Sequence, residues 1–309
     1  MRFPAVFTVI AQIIAGFLLV SGNEQSVVRL VLALLAGVAL YWSGMILNDL
    51  WDLEEDTRER PERPLPAGLV TMGTAKKAAW GFMVAGAVLS AFSGFVPAPG
   101  LSQTYCPAII GTAIAVCVLL YNGILKSTLM APVTMGLCRA LCFLLGAAPL
   151  VMVNDLNLVT PDTWFDRHVL GVALGMGVYI TGITLISTSE TEGGKRAPIT
   201  IGTVLVILGA ACIAISPNFA PKEVVWRVAM EEKYLLIVGL VAFTIVFRGV
   251  RAAIRPEPLA IQHLVRAGVL TLIPLSAVVA LLPAGPTGAL LVFALVIPAV
   301  LSAAWIRVT

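Results

Sequence analysis

The residues best suited to chemistry lie in one stretch, Asn48 to Asp56, directly after a long apolar segment. Five of the eight residues from Asp49 to Asp56 are acidic. If the helix that enters this stretch continues, the i, i+4, i+8 spacing places Asn48, Asp52 and Asp56 on one face, with Asp49 beside them. Carboxylates crowded at a helix C-terminus repel one another and oppose the helix dipole. The stretch therefore predicts a bound cation, for which a hard divalent metal is the natural choice, while a solvated helix cap is the plainer alternative.

The residues that follow add positive charge and proline. Three arginines occur between Thr57 and Gly68: Arg58, and two more in the run Arg60-Pro-Glu-Arg63-Pro-Leu-Pro-Ala-Gly68. Together the two stretches resemble the first aspartate-rich motif of the UbiA superfamily of intramembrane prenyltransferases, Asn-x-x-x-Asp-x-x-x-Asp with its Arg-Pro-rich tail. The resemblance implies Mg²⁺ ligation by Asn48, Asp52 and Asp56, a catalytic role for the two aspartates, and contact of Arg63 with a diphosphate.

Composition independently indicates a polytopic membrane protein. Of 309 residues, 59% are apolar and only 12% are charged, whereas soluble domains have about 25% charged residues. The five cysteines show no CxxC spacing, so neither a disulfide framework nor a zinc site is predicted. We predict a lipid bilayer as the surroundings and no nucleic-acid partner.

A window of about 20 residues, the length needed to span a bilayer, predicts ten apolar segments in one domain covering residues 1–309. The segments are 3–20, 27–48, 70–95, 107–124, 129–152, 168–188, 198–215, 234–251, 262–282 and 286–306. The UbiA resemblance implies nine as the usual number. We therefore expect an all-α bundle of nine to ten transmembrane helices, which the resemblance implies is arranged around a lipid-facing central cavity.

A second candidate for chemistry lies at the end of the sixth segment, between Ile186 and Arg196. The superfamily has a second Asp-x-x-x-Asp there, followed by Gly-Lys, and Lys195 aligns with that lysine. In this chain Ile186 stands at the first aspartate position and Glu190 at the last. Glu190 and Glu192 can still ligate Mg²⁺ through oxygen, and the resemblance implies catalysis by Glu190 and diphosphate contact by Lys195. The alternative is a capped loop with solvated glutamates.

The altered second motif also resembles the EboC-like branch of the superfamily. In that branch a stretch containing serine and glutamate and ending in Gly-Gly replaces the aspartates. The runs Gly136-Leu-Cys-Arg139 and Arg255-Pro-Glu-Pro258 are similar to the same branch.

Two basic residues outside these motifs are further candidates. Arg139 lies ten residues into the fifth apolar segment, and an intramembrane arginine usually faces a polar cavity with a partner. Lys126 closes the fourth segment after Tyr121-Asn122, which resembles the position where the superfamily's basic residue faces the diphosphate. We expect both to bind the diphosphate. A structural pairing for Arg139 and a topology anchor for Lys126 are the alternatives, and we expect Gln12 to be a packing or interfacial residue.

These features predict Mg²⁺-dependent transfer of a prenyl group from a prenyl diphosphate to an electron-rich acceptor, aromatic or lipid-like, within the membrane. The main alternative is a protein that binds or carries prenyl or lipid diphosphates without turnover, because its second acidic motif is degraded. We expect an integral protein of a bacterial inner membrane. The sequence predicts neither the acceptor, the prenyl chain length nor the oligomeric state.

The distribution of basic residues predicts the orientation. With a cytoplasmic N-terminus, fourteen of the 20 lysines and arginines face the cytoplasm and five the other side, with Arg139 inside a segment. The positive-inside rule selects this arrangement, which brings both acidic stretches and Lys126 to the cytoplasmic face. A reporter inserted after Thr71 should therefore be cytoplasmic. A reporter after Thr309 should be cytoplasmic if ten segments span and external if nine do, whereas an external signal at Thr71 would refute the orientation.

Overall fold

The computed structural model describes residues 3–21, 26–151, 164–190, 195–228 and 231–308. No β-strand occurs in these ranges, and helices account for nearly all of the regular structure. The all-α prediction is confirmed. Twelve α-helices lie in the described residues: α1 (Val6–Ser21), α2 (Val27–Trp51), α3 (Leu53–Glu59), α4 (Met72–Phe95), α5 (Cys106–Leu120), α6 (Ala131–Ala147), α7 (Arg167–Ser187), α8 (Arg196–Ile215), α9 (Glu231–Ile254), α10 (Pro258–Leu270), α11 (Leu272–Phe293) and α12 (Val296–Val308).

In the described part of the chain, eight stretches are long and apolar enough to cross a membrane, and the shorter α1 is apolar as well. The last of the eight runs from Pro258 to Ala303 over 46 residues. As a continuous helix it would extend about 69 Å, more than twice the roughly 30 Å of a bilayer core. It is interrupted at Gly285, whose φ of 68° is not helical. This break falls between the two segments predicted at 262–282 and 286–306, while the second break, at Thr271 between α10 and α11, was not predicted.

Neighbouring helices approach closely where glycines face each other. A Cβ placed on Gly202 of α8 would lie 2.5 Å from the carbonyl oxygen of Gly182 in α7, and one on Gly182 would lie 2.4 Å from the oxygen of Gly202. Such distances leave no room for a side chain. In a bilayer, where lipid is as apolar as leucine, close backbone approach of this kind supplies much of the attraction between helices.

Polar side chains inside the bundle also join helices by bonding to backbone carbonyls. The hydroxyl of Tyr179 in α7 donates to the carbonyl of Gly268 in α10 at 3.0 Å. The guanidinium of Arg29 in α2, which is 1% exposed, donates from all three of its nitrogens to the carbonyls of Val96, Ser102 and Pro149 at 2.7 to 3.0 Å. Arg29 thereby ties the start of α2 to the α4–α5 connection and to the turn that ends α6.

The glycine contact between α7 and α8 makes a stability prediction. Gly202→Ala places a methyl group against the backbone of α7 and forces the two helices apart, which should destabilise the fold by about 1–3 kcal/mol. The measurement is the melting temperature of the purified protein in detergent. Gly239→Ala is the matched control, because it is also a helical glycine and nothing lies within 4 Å of its added Cβ. Equal melting temperatures for the two variants would show that the α7–α8 contact tolerates separation.

Candidate active site

The acidic stretch retains helical spacing across the junction of α2 and α3. Asp52 ends α2 with a φ of −86° and a ψ of 4°, and Leu53 begins α3. The backbone N–H of Asp52 donates to the carbonyl of Asn48 at 3.0 Å, and that of Asp56 donates to the carbonyl of Asp52 at 2.8 Å. The predicted continuation of the helix is confirmed, with a local change of direction at Asp52. The i, i+4, i+8 spacing therefore holds along this face.

Asp52 forms an ion pair with Lys126, which lies 74 residues later in the chain. The carboxylate is 16% exposed and the ammonium 33% exposed, so solvent screens the pair only in part. Lys126 follows a π-helical turn at Tyr121–Leu125 that ends α5. Single π-turns inside helices occur frequently at functional sites. This turn carries the ammonium to the end of α2.

Asn48 is held in position by a second asparagine. Its amide nitrogen donates to Oδ1 of Asn122 at 3.2 Å, and the Asn122 amide donates in turn to the carbonyl of Val118 at 2.9 Å. Asn122 is buried. Because the nitrogen of Asn48 is engaged, its amide oxygen points away from Asn122 and keeps its capacity as an acceptor or metal ligand.

Asp56 is the most buried acid of the stretch, with 3% of its surface exposed. It accepts a hydrogen bond from Nη1 of Arg63 at 2.5 Å and lies 3.8 Å from Nη1 of Arg60. The same atom of Arg63 lies 4.0 Å from Asp49. Two of the three arginines after the motif therefore neutralise the buried carboxylate.

The chain returns from these arginines to α4 through a tight turn at Gly68, whose φ of 71° favours glycine. Thr71 then caps α4 by accepting a hydrogen bond from the N–H of Thr74 at 3.2 Å. A cavity of about 260 Å³ lies between the end of α2, this connection and the start of α4. Its lining is Ile46, Asp49, Asp56, Arg63, Pro64, Leu65, Pro66, Val70, Thr74, Ala75 and Ala78. An apolar space thus adjoins the charged groups.

The second predicted motif is described in part. Glu190 ends a 3-10 turn that follows α7 and is half-buried. The positive charge of Arg60, which follows the first motif, acts electrostatically on this carboxylate. The buried hydroxyl of Ser189 donates to the carbonyl of Lys195 at 3.3 Å, joining the end of α7 to the start of α8. Lys195 is exposed, and Glu192 lies outside the described residues.

The donor set fits Mg²⁺. Asn48, Asp52 and Asp56 offer the hard oxygen ligands that this ion prefers, on one helical face with basic residues beside them. Among the described residues, no three His, Cys, Asp or Glu side chains converge on one point. Mg²⁺ is commonly held by one or two carboxylates while phosphate and water complete its octahedron, so a substrate diphosphate suits this arrangement.

Arg139 forms its hydrogen bonds with residues outside the acidic stretch. It is buried in α6, and its Nη1 donates to Oγ1 of Thr8 at 2.9 Å and to Oε1 of Gln12 at 3.3 Å, both in α1. Gln12 is therefore a hydrogen-bonding partner of Arg139. The sequence predicted a packing or interfacial role for Gln12 and not this hydrogen bond. The positions of Asn122 and Arg60 in the site were also not predicted. The available signals were an asparagine at the end of an apolar segment and an arginine four residues after Asp56.

Comparison with known proteins identifies the family to which the chain belongs. A family model described as the UbiA prenyltransferase family matches residues 9–309. A digeranylgeranylglyceryl phosphate synthase of Methanopyrus kandleri is 30% identical over 274 residues, with 77% of this chain and 92% of that protein covered. The corresponding protein of Methanobrevibacter smithii is 25% identical over 244 residues, with 78% and 83% covered.

Two solved structures share the fold. A UbiA homologue from Aeropyrum pernix, determined in its apo form, superposes with a TM-score of 0.60 at 12% identity and covers 90% of this chain and 97% of its own. A structure from work on digeranylgeranylglyceryl phosphate synthase in membranes gives a TM-score of 0.62 at 18% identity, with 91% and 98% covered. Similarity to the EboC-like branch is not tested by these proteins and stays a prediction.

The ion pair at Asp56 makes a second stability prediction. Asp56→Asn removes the charge that accepts the short hydrogen bond of Arg63 and should destabilise the metal-free protein by about 1–3 kcal/mol, measured by melting in detergent with a chelator. Glu54→Gln is the control from the same stretch. Its side chain is 94% exposed and lies 4.0 Å from Arg58, so the loss should be below about 0.5 kcal/mol. An unchanged melting temperature for Asp56→Asn would mean that the ion pair between Arg63 and Asp56 does not stabilise the protein.

Proposed function

Because the chain belongs to the UbiA prenyltransferase family, we propose that it transfers a prenyl group from a prenyl diphosphate to a membrane-soluble acceptor, with Mg²⁺ as its cofactor. The observation that carries the proposal is the convergence of Asn48, Asp52 and Asp56 with Lys126 and Arg63 at the end of α2. The combination offers oxygen ligands for a hard cation and two cationic side chains for the oxygens of a diphosphate.

The reaction breaks the bond between the allylic carbon and the diphosphate oxygen, and the electron pair leaves with the diphosphate. The acceptor then forms a new bond to the allylic carbon and releases a proton. Asn48, Asp52 and Asp56 would hold Mg²⁺, which would supply positive charge to the leaving diphosphate. Lys126 and Arg63 contribute positive charge at the same place, where a partly buried environment strengthens their effect.

The remaining apolar surface of the bundle has a role in excluding water. An allylic cation would be captured by water before a slower acceptor reached it, so the site must keep water away. The cavity beside Asp56 and Arg63, lined largely by proline, alanine and aliphatic side chains, is suited to the isoprenoid part of a substrate. Charged groups at one end and apolar walls at the other match the two halves of a prenyl diphosphate.

Glu190, with Glu192 beside it in sequence, is proposed to supply the second acidic group. What supports this role for Glu190 is its half-buried position and its electrostatic interaction with Arg60, which also contacts Asp56. Lys195, at the start of α8, is proposed as a further contact for the diphosphate. A single glutamate of this kind would assist the departure of the diphosphate.

The acceptor is proposed to be lipid-like rather than aromatic. This choice is supported by the relatives, which are named as digeranylgeranylglyceryl phosphate synthases. An ether-forming reaction on a glyceryl phosphate lipid needs an acceptor hydroxyl in place of an electron-rich ring. The protein is integral to the membrane, and the excess of basic residues on the site face supports a cytoplasmic orientation of these loops. A bacterial inner membrane stays a prediction.

The direct test incubates the purified protein in detergent with Mg²⁺, radiolabelled prenyl diphosphates of several chain lengths and a membrane lipid extract, and follows labelled lipid. Glu190→Gln keeps the shape of the side chain and removes its charge. If Glu190 helps to neutralise the leaving group, its loss should raise the barrier by a few kcal/mol. Since about 1.4 kcal/mol is tenfold in rate, turnover should fall at least roughly a hundredfold.

The matched control is Glu223→Gln, an exposed acid in the connection between α8 and α9, which should keep full turnover. Turnover that is insensitive to Glu190→Gln would refute the participation of the second motif. Tight Mg²⁺-dependent binding of prenyl diphosphates without labelled product from any donor would instead support a binding or carrier protein.

A further inference from the structure

A buried polar group lies between α1 and α6, separate from the acidic stretch. Arg139 is 8% exposed, and Thr8 and Gln12, the two residues that accept its hydrogen bonds, are fully buried. In the described part of the chain no carboxylate forms an ion pair with Arg139. A positive charge is therefore held inside an apolar segment by two neutral oxygens.

Arg29 is a buried arginine of the same bundle whose three side-chain nitrogens all donate hydrogen bonds. It uses Nε, Nη1 and Nη2, each on a different backbone carbonyl. Arg139 bonds to described residues through Nη1 alone. A guanidinium in a membrane segment is unfavourable unless an anion or a polar cavity accompanies it. Arg139 therefore keeps donors that a ligand can use.

Gln12 adds a second set of unused donors at the same place. Its Oε1 faces Arg139, and its Nε2 is buried without a hydrogen-bond partner among the described residues. The opposite amide orientation would direct an NH₂ group at a guanidinium, donor against donor, so Arg139 fixes the orientation. Unsatisfied N–H groups beside a net positive charge are suited to an oxyanion.

The depth of this group separates it from the diphosphate. Arg139 lies eight residues after the start of α6, or about 12 Å along the helix, whereas Lys126 lies before α6 begins. Thr8 and Gln12 are in the first two turns of α1. The lipid acceptor proposed above can bring a head group to this depth, because its apolar chain remains in the hydrocarbon region.

We propose that Arg139, Gln12 and Thr8 bind the oxyanion head group of the acceptor lipid, for which a phosphate monoester is the best match in charge and acceptor number. The inference rests on the proposed prenyl transfer and deepens it. It gives Arg139 a role toward the acceptor in place of the diphosphate contact expected from the sequence. Thr8 and Gln12 position the guanidinium, and Gln12 Nε2 donates to the ligand as well.

The test compares the wild type with Gln12→Glu on three acceptor lipids. Each lipid has one isoprenoid ether chain on glycerol, and the head group is a phosphate, a carboxylate or an uncharged group. A carboxylate at position 12 would form an ion pair with Arg139 and occupy it. We expect the wild type to prefer the phosphate acceptor over the neutral one, and the variant to raise the KM for the phosphate acceptor by about tenfold or more. The KM for the prenyl diphosphate should stay unchanged, and the melting temperature should not fall.

Arg29→Lys is the control for a buried arginine with a structural role, because it should lower the melting temperature without changing the preference among acceptors. A KM for the phosphate acceptor that is unchanged in Gln12→Glu, or a wild type that prefers the neutral acceptor or treats all three alike, would overturn the inference. A carboxylate acceptor as good as the phosphate would support an oxyanion site that does not require phosphorus.

Failure of the proposed function gives a different result. If the wild type shows no turnover with any prenyl diphosphate, binding of the phosphate-bearing lipid is measured alone through the rise in melting temperature. A rise that is present in the wild type and absent in Gln12→Glu supports the anion site without catalysis. No rise in the wild type overturns it.

Discussion

Neutralisation of the carboxylates at the end of α2 is the interaction on which the site depends. Lys126 pairs with Asp52 and Arg63 pairs with Asp56, so the acids that would repel one another at a helix terminus are held together by bases from two other segments. A bound Mg²⁺ and diphosphate would exchange these partners, with the metal taking the carboxylates and the diphosphate taking the bases. Because charge balance is similar before and after, ligand binding does not require an isolated charge to be buried.

Arg29 and Arg139 are both buried in apolar helices, but they differ in their hydrogen-bond partners. Arg29 is saturated by backbone carbonyls at the ends of helices, where unpaired carbonyl groups are available. Arg139 lies in the middle of α6, where the backbone carbonyls are occupied by the helix itself, and among the described residues it bonds only to side chains of α1. The position along the helix thus decides whether an arginine completes the fold or retains donors for another molecule.

The sequence predicts those features that follow from local periodicity. Hydropathy over about 20 residues located the apolar segments, and the four-residue spacing of Asn48, Asp52 and Asp56 predicted their common face, because both properties are contained in one helix. The burial of Arg29 and the contact of Asn122 with Asn48 were not predicted, since the partners come from distant segments. The contact of Arg60 with Asp56 is local, at a spacing of four residues, and was available from the sequence. The break at Thr271 was also not predicted, although Pro274 lies four residues after Leu270 and lacks the N–H that would bond to the Leu270 carbonyl.

The bonding of Arg29 has a consequence for how the protein is made. Its carbonyl partners follow it by 67, 73 and 120 residues along the chain. When α2 leaves the ribosome, none of them has been synthesised. The guanidinium must therefore remain hydrated, or among lipid phosphates at the membrane surface, until α6 has been inserted. The hydrogen bonds at the start of α2 are therefore completed only after α6 has been made.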